Sequence, residues 1–137
     1  MEFTELLGKR RSIRDFTDKK IDGQILRRIT QAAMSAPSAG NLQCYKIYFV
    51  NSEKAREGMP LATDFQDCVS KAAMLVVFTA DQKRAEAKYG ERGVEFYATQ
   101  DATIACAYFQ LAAEGEGLGS VWVGGFDPLE VSRLINV

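Results

Sequence analysis

The sequence predicts an α+β domain in which helices interleave with short strands, and three observations carry that reading. A helical apolar period runs through residues 22–36, β-branched and aromatic residues cluster at 45–50 and 74–80, and residues 94–114 are apolar nearly all round a helix. At 137 residues, 47% hydrophobic and 26% charged, the chain has the size and composition of one globular domain, residues 1–137, without repeats or low-complexity segments.

Residues 2–9 are a short helical candidate with Phe3, Leu6 and Leu7 on one side, and residues 10–16 read as irregular or extended. Asp22 is placed to cap a second helix whose apolar face is Ile25, Leu26, Ile29, Ala32 and Ala33; it ends by Ala36, where Pro37 disfavours helical backbone. A loop, PSAGN, follows at 37–41. Residues 45–50 read as a strand, and residues 74–80, nearly all apolar, as a strand buried on both faces. In the polar stretch between them Ser52 can cap a short helix, and Asp81 can cap another running to about Tyr89.

The helix over 94–114 carries Phe96, Tyr97, Ile104, Tyr108, Phe109 and Leu111 among small residues, the pattern of a central or interface helix. Gly115 and Gly117 end it, residues 120–123 read as a third strand, and Gly124 and Gly125 turn the chain. Asp127, Pro128 and Glu130 fit a cap, a first-turn proline and a capping-box acid for a last helix through Ile135.

Composition narrows the function. The net charge is −1, and the basic island of Lys9, Arg10, Arg11, Arg14, Lys19 and Lys20 has few interleaved aromatics, so the expected partner is a small anion and no nucleic acid. No run approaches the ~18 apolar residues of a membrane span, and the N-terminus lacks the layout of a signal peptide. Cys44, Cys68 and Cys106 are odd in number and far apart, and there is no histidine, which argues against a disulfide framework, against a metal site and for a reducing, cytoplasmic setting. Without histidine the usual hydrolytic triads are also gone, so an enzyme of this composition is expected to borrow its reactivity from an organic cofactor.

Three segments carry candidate chemistry. RRSIRDF at 10–16 sets Arg10, Arg11, Ser12 and Arg14 within five positions, a donor set suited to a phosphate or an electron-rich heterocycle, although arginine runs are more often solvated faces. PSAGNLQ at 37–43 lets backbone approach a flat ligand, or is an ordinary turn. GLGSVWVGGFDP at 117–128 ends in a diglycine whose N–H groups could meet an acceptor, and it lacks the spacing of a P-loop or dinucleotide fingerprint.

In this order the segments resemble the nitroreductase family of flavoenzymes. RRSIRDF is similar to the family's N-terminal flavin motif, APSAGNLQ to the loop that reaches FMN from the partner subunit, and GLGSVWVGGF to the strand and turn beside the redox face. YATQDATIACAYFQLAAEGEGLG is similar to the long central interface helix, and the resemblance spans essentially the whole chain. It implies a three-layer fold with a small antiparallel or mixed sheet flanked by helices. It also implies a homodimer with FMN at the interface, reduced by NADH or NADPH and reoxidised by an organic acceptor (a nitroaromatic, a quinone or similar) in a ping-pong cycle of hydride transfer through flavin N5.

The resemblance assigns roles residue by residue. Arg10, Arg11 and Ser12 match positions that hold the ribityl chain and phosphate. Arg14 matches the position near flavin N1 and the C2 carbonyl, where a fixed cation stabilises negative charge. Pro37, Ser38, Ala39 and Asn41 match positions lining the flavin from the other subunit, and Gln66 one at the pyrimidine edge. Gly124 and Gly125 match positions offering N–H groups to N5 and O4, which with Arg14 makes three catalytic candidates. Family members continue with a further strand and a tail, so the resemblance implies that a C-terminal strand and tail are missing here. The alternative within the same resemblance is an FMN-binding carrier or sensor without turnover of its own.

Overall fold

The computed structural model describes every residue from Met1 to Val137. Nine regular elements follow one another: α1 Phe3–Lys9, α2 Gly23–Met34, β1 Tyr45–Phe49, α3 Glu53–Ala62, α4 Asp67–Lys71, β2 Val76–Ala80, α5 Gln82–Arg92, α6 Ala98–Gly115 and α7 Pro128–Leu134. The chain divides into two compact units: the first is Met1–Arg10, Asp22–Ile47 and Phe78–Leu118, the second Arg11–Ile21, Tyr48–Val77 and Gly119–Val137.

In the first unit α1 and α2 both pack on α6. Helix α2 starts where Asp22 accepts the Gln24 N–H at 2.7 Å, and it buries Ile29 and Ala33. Arg28 on its outer face forms a two-pronged ion pair with Glu116 just past the end of α6, both contacts at 2.7 Å. The pair raises the Arg28 pKa and lowers that of Glu116, through the side-chain hydrogen bond first in each case. Ala98, Asp101, Ala102, Ala105 and Ala113 form the buried side of α6, and Phe109 meets Phe78 edge-on at 5.6 Å.

The helix over 94–114 arrives in two pieces. Residues Gly93–Tyr97 form a π-helical turn after a kink at Gly90, whose φ is 58°, and only from Ala98 is the backbone α-helical. Gly93 itself permits a close approach, because a Cβ there would lie 2.5 Å from the Ala85 carbonyl oxygen.

The second unit is built on α3, which Ser52 caps by accepting the Ala55 N–H at 3.1 Å. Its core joins Val50, Ala55, Met59, Ala62, Cys68, Val69 and Val131, with Phe16, Leu75, Val121, Val123 and Leu134 packed against them. The short helix α4 lies in a stretch too weakly patterned to announce it.

β1 and β2 form a two-stranded antiparallel sheet, bounded by Asp81 N–H to Cys44 O at one end and Val50 N–H to Leu75 O at the other, both 2.9 Å. Three expectations change here. Every residue of β2 is half-buried instead of enclosed on both faces, because a two-stranded sheet leaves an edge of each strand outside the ladder. Residues 120–123 make no strand: one parallel bridge joins Ser12 to Ser120, and beyond it the chain is tied to α3 by Asp127 N–H to Ala62 O at 2.8 Å. That same bond occupies the N–H a capping box would use, so Glu130 pairs with Arg133 instead, while Asp127 and Pro128 start α7 as expected.

Candidate functional site

The second unit brings Arg11, Ser12, Arg14, Gln66, Gly124 and Gly125 into one substructure. Residues 10–16 adopt no helix or ladder, and Ile13 N–H donates to Ser120 O at 2.9 Å, which lays the arginine segment along the start of the segment ending in the diglycine. Ile13 is turned inward, and a Cβ on Gly119 would meet its side chain at 3.0–3.1 Å, so the two segments are in contact.

Ile13 and Phe16 are half-buried, whereas Arg11, Ser12 and Arg14 are exposed. Neither guanidinium has an acidic partner; the nearby Asp15 reaches only Lys71, at 3.9 Å. Unpaired, adjacent guanidinium groups keep all their donors for an external anion.

Two features describe the diglycine. A Cβ on Gly124 would meet nothing within 4 Å and its φ is not positive, so neither backbone conformation nor packing within the chain calls for glycine there. A group approaching from outside does give a reason for the missing side chain. Gln66 Nε2 donates to Gly125 O at 2.9 Å, which fixes the peptide following Gly125 and commits one amide hydrogen of Gln66 to the turn. The turn that presents Gln66 is strained: Asp64 and Phe65 both have positive φ, at 53° and 54°.

Arg10, Pro37, Ser38, Ala39 and Asn41 lie in the first unit. Arg10 follows α1 as its C-cap. The 37–43 loop is a tight clasp: Asn41 N–H reaches Ser38 O at 3.0 Å, Gln43 N–H reaches Ser38 Oγ at 2.9 Å, and Gln43 Nε2 reaches Met34 O at 2.6 Å. Gly40, Asn41 and Gln43 have φ of 57°, 55° and 51°. Glycine suits position 40 in two ways: its backbone is left-handed, and a Cβ there would displace the Tyr89 hydroxyl.

Beneath this loop is a residue that sequence reasoning passed over. Asp101 of α6 is 2% exposed and accepts Ala39 N–H at 3.0 Å and Cys44 N–H at 3.2 Å. Its signal in the sequence is faint: it is one of three acids, with Glu95 and Glu114, in a helical stretch that is apolar nearly all round, where a charge is costly unless it is hydrogen-bonded. The three thiols are free. Burial pushes the Cys106 thiol up to about 11, and burial, then the charge of Asp101, raises Cys44, so neither is a thiolate nucleophile at neutral pH. No group of three or more acids or cysteines forms a metal site, and no helix is long and apolar enough to cross a membrane.

Comparison with known proteins shows the family and the fold. The family model described as "Nitroreductase family" matches residues 7–64 and 61–137. The chain belongs to the nitroreductase family. Among relatives of this nitroreductase-family chain, a protein of Thermus thermophilus named NADH dehydrogenase is 31% identical over 156 aligned positions, covering 94% of this chain and 76% of the relative. A nitroreductase family protein of Clostridium novyi superposes with a TM-score of 0.86 at 29% identity, over 97% of this chain and 75% of the other. The NADPH:FMN oxidoreductase of Vibrio harveyi, solved with NAD+, superposes with a TM-score of 0.88 at 28% identity, over 98% of this chain and 62% of that protein. The fold is thus the nitroreductase fold, with a small antiparallel sheet and a long helix, α6.

FMN fits the residues present. Arg11, Ser12 and Arg14 offer unshared donors to phosphate and to ring acceptors, and the open approach at Gly124 suits a flat ligand against the backbone.

Proposed function

We propose that residues 1–137 form one FMN-binding domain of an NAD(P)H-dependent oxidoreductase that acts as a homodimer. The observation that carries it is the Ser12 to Ser120 bridge, which sets the unpaired Arg11 and Arg14 and the diglycine on adjoining segments. The family match, running through both units, and the relatives named as NADH dehydrogenase and NADPH:FMN oxidoreductase support it.

FMN, when bound, supplies the two-electron chemistry, taking hydride from NADH or NADPH and reducing an organic acceptor such as a nitroaromatic or quinone in a ping-pong cycle. The chain binds, orients and polarises. Arg10, Arg11 and Ser12 hold the phosphate and ribityl end by charge-assisted hydrogen bonds. Arg14 places a fixed cation where the ring gains negative charge, which favours its reduced form. Gly124 and Gly125 present backbone donors with no side chain in the way, and Gln66 holds that turn through Gly125 O. Pro37, Ser38, Ala39 and Asn41 line the ring from the partner protomer. No residue has to act as a general base in hydride transfer between two rings held about 3–3.5 Å apart, consistent with the lack of histidine. Three free cysteines support a cytoplasmic setting.

Gly124→Ala tests the assignment. Because the new methyl meets nothing in the chain, unfolding free energy stays within about 0.5 kcal/mol of wild type. FMN affinity or its rate of reduction by NAD(P)H falls about tenfold, a loss of roughly 1.4 kcal/mol. An equally stable variant with wild-type flavin binding and reduction removes Gly124 from the site.

A further inference from the structure

The strongest feature that the proposed function does not use is the carboxylate of Asp101. It is buried at 2% exposure in α6 and makes no ion pair, yet it holds two backbone N–H groups that flank residues 40–43 of the loop, Ala39 at 3.0 Å and Cys44 at 3.2 Å. Secondary structure does not explain these bonds, because Ala39 lies in a 3-10 turn and Cys44 immediately precedes β1.

The loop needs such a clamp. Between the two anchored amides lie Gly40, Asn41 and Gln43, all left-handed, a conformation that only glycine adopts at no cost and that persists when surrounding structure over-determines it. The loop's other ties, from Asn41 to Ser38 O, from Leu42 to Ala39 O and from Gln43 to Ser38 Oγ and Met34 O, close it on itself and onto the end of α2, whereas Asp101 joins it to the long helix. A carboxylate suits this task because its two oxygens accept from two donors that cannot bond each other.

We infer that Asp101 is a positioning residue for the flavin-facing loop: its two oxygens fix the spacing between Ala39 and Cys44 and so the path of Ser38, Ala39 and Asn41. This rests on the reading of that loop as a flavin contact, while the clamp itself stands on the geometry alone. An asparagine at position 101 retains one acceptor and turns an N–H₂ toward the second backbone N–H, breaking one anchor without emptying the site.

The test compares wild type with Asp101→Asn by amide hydrogen exchange, thermal unfolding and FMN titration followed by flavin fluorescence. Expected are a cooperatively folded variant, exchange at Ala39 or Cys44 about tenfold or more faster than in wild type, and FMN affinity reduced about tenfold, with the reduction rate at saturating FMN nearly unchanged. A folded variant with wild-type exchange at both amides and wild-type FMN affinity overturns the inference. Should Asp101→Asn not fold, Asp101→Glu, which keeps both oxygens one methylene further out, is held to the same two readouts. If wild type itself takes up no FMN, the proposed function fails, and the exchange measurement alone still decides whether Asp101 clamps the loop.

Discussion

Arg11→Ala is expected to weaken FMN binding about 10- to 100-fold, and Arg14→Ala to slow flavin reduction by NAD(P)H about 100-fold at saturating FMN. The first figure is the removal of one or two hydrogen bonds to a charged group, and the second the loss of one preorganised donor aimed at developing charge. Both side chains are exposed and neither pairs with an acid, so neither variant should lose measurable stability. The two substitutions are chosen to separate. Arg11 should affect the FMN dissociation constant and leave the rate at saturation within about twofold, since it is assigned to the phosphate end. Arg14 should affect the rate. Titration and anaerobic stopped-flow absorbance read both, and a loss of the same kind in both variants would contradict the assignment of distinct roles.

Ile29→Ala is expected to cost about 2–5 kcal/mol, the range for emptying a packed aliphatic site. Ile29 is 1% exposed and one of the two largest side chains that are fully buried, on a helix that otherwise buries only Ala33. A loss of that size is a large share of the about 5–15 kcal/mol typical of a domain and lowers the melting temperature by roughly 8–20 °C. It also reaches the 37–43 loop, because the end of α2 supplies the Met34 carbonyl that holds Gln43. Ile29→Val should cost only about 0.5–1.5 kcal/mol. A melting temperature for Ile29→Ala within about 2 °C of wild type would mean that α2 does not dock through this face.

What the sequence makes legible follows from the range of the forces involved. Helix starts are local: Asp22, Ser52, Asp81 and Asp127 each cap the helix expected of them, because a side-chain oxygen meets an N–H two or three residues on. The apolar face of α2 is local in the same sense. A strand is not, since residues 120–123 have the composition of one but become one only if a neighbour offers a ladder, and here Ser120 alone is bridged. The capping-box reading of Glu130 fails for a similar reason, because Ala62, far along the chain, takes the Asp127 N–H.

The site divides likewise. The arginine segment, the 37–43 loop and the diglycine are contiguous motifs, visible as strings of residues. Asp101 is not part of any of them. Its role depends on a helix formed some 60 residues after the loop it holds, and only the oddity of a carboxylate among alanines marks it in advance. The bond from Gln66 to Gly125 is equally non-local and gives Gln66 a holding role beside its expected flavin contact.

The most direct test of the account is an absorbance spectrum of the purified protein after incubation with FMN and desalting, followed by anaerobic addition of NADH and, separately, NADPH. The account predicts retained bands near ~370 and ~450 nm, the cofactor's own signature, which bleach when at least one nicotinamide is added. Loss of the yellow colour on desalting would contradict the flavin site, and retained bands that neither nicotinamide bleaches would make the protein a flavin carrier and not an oxidoreductase.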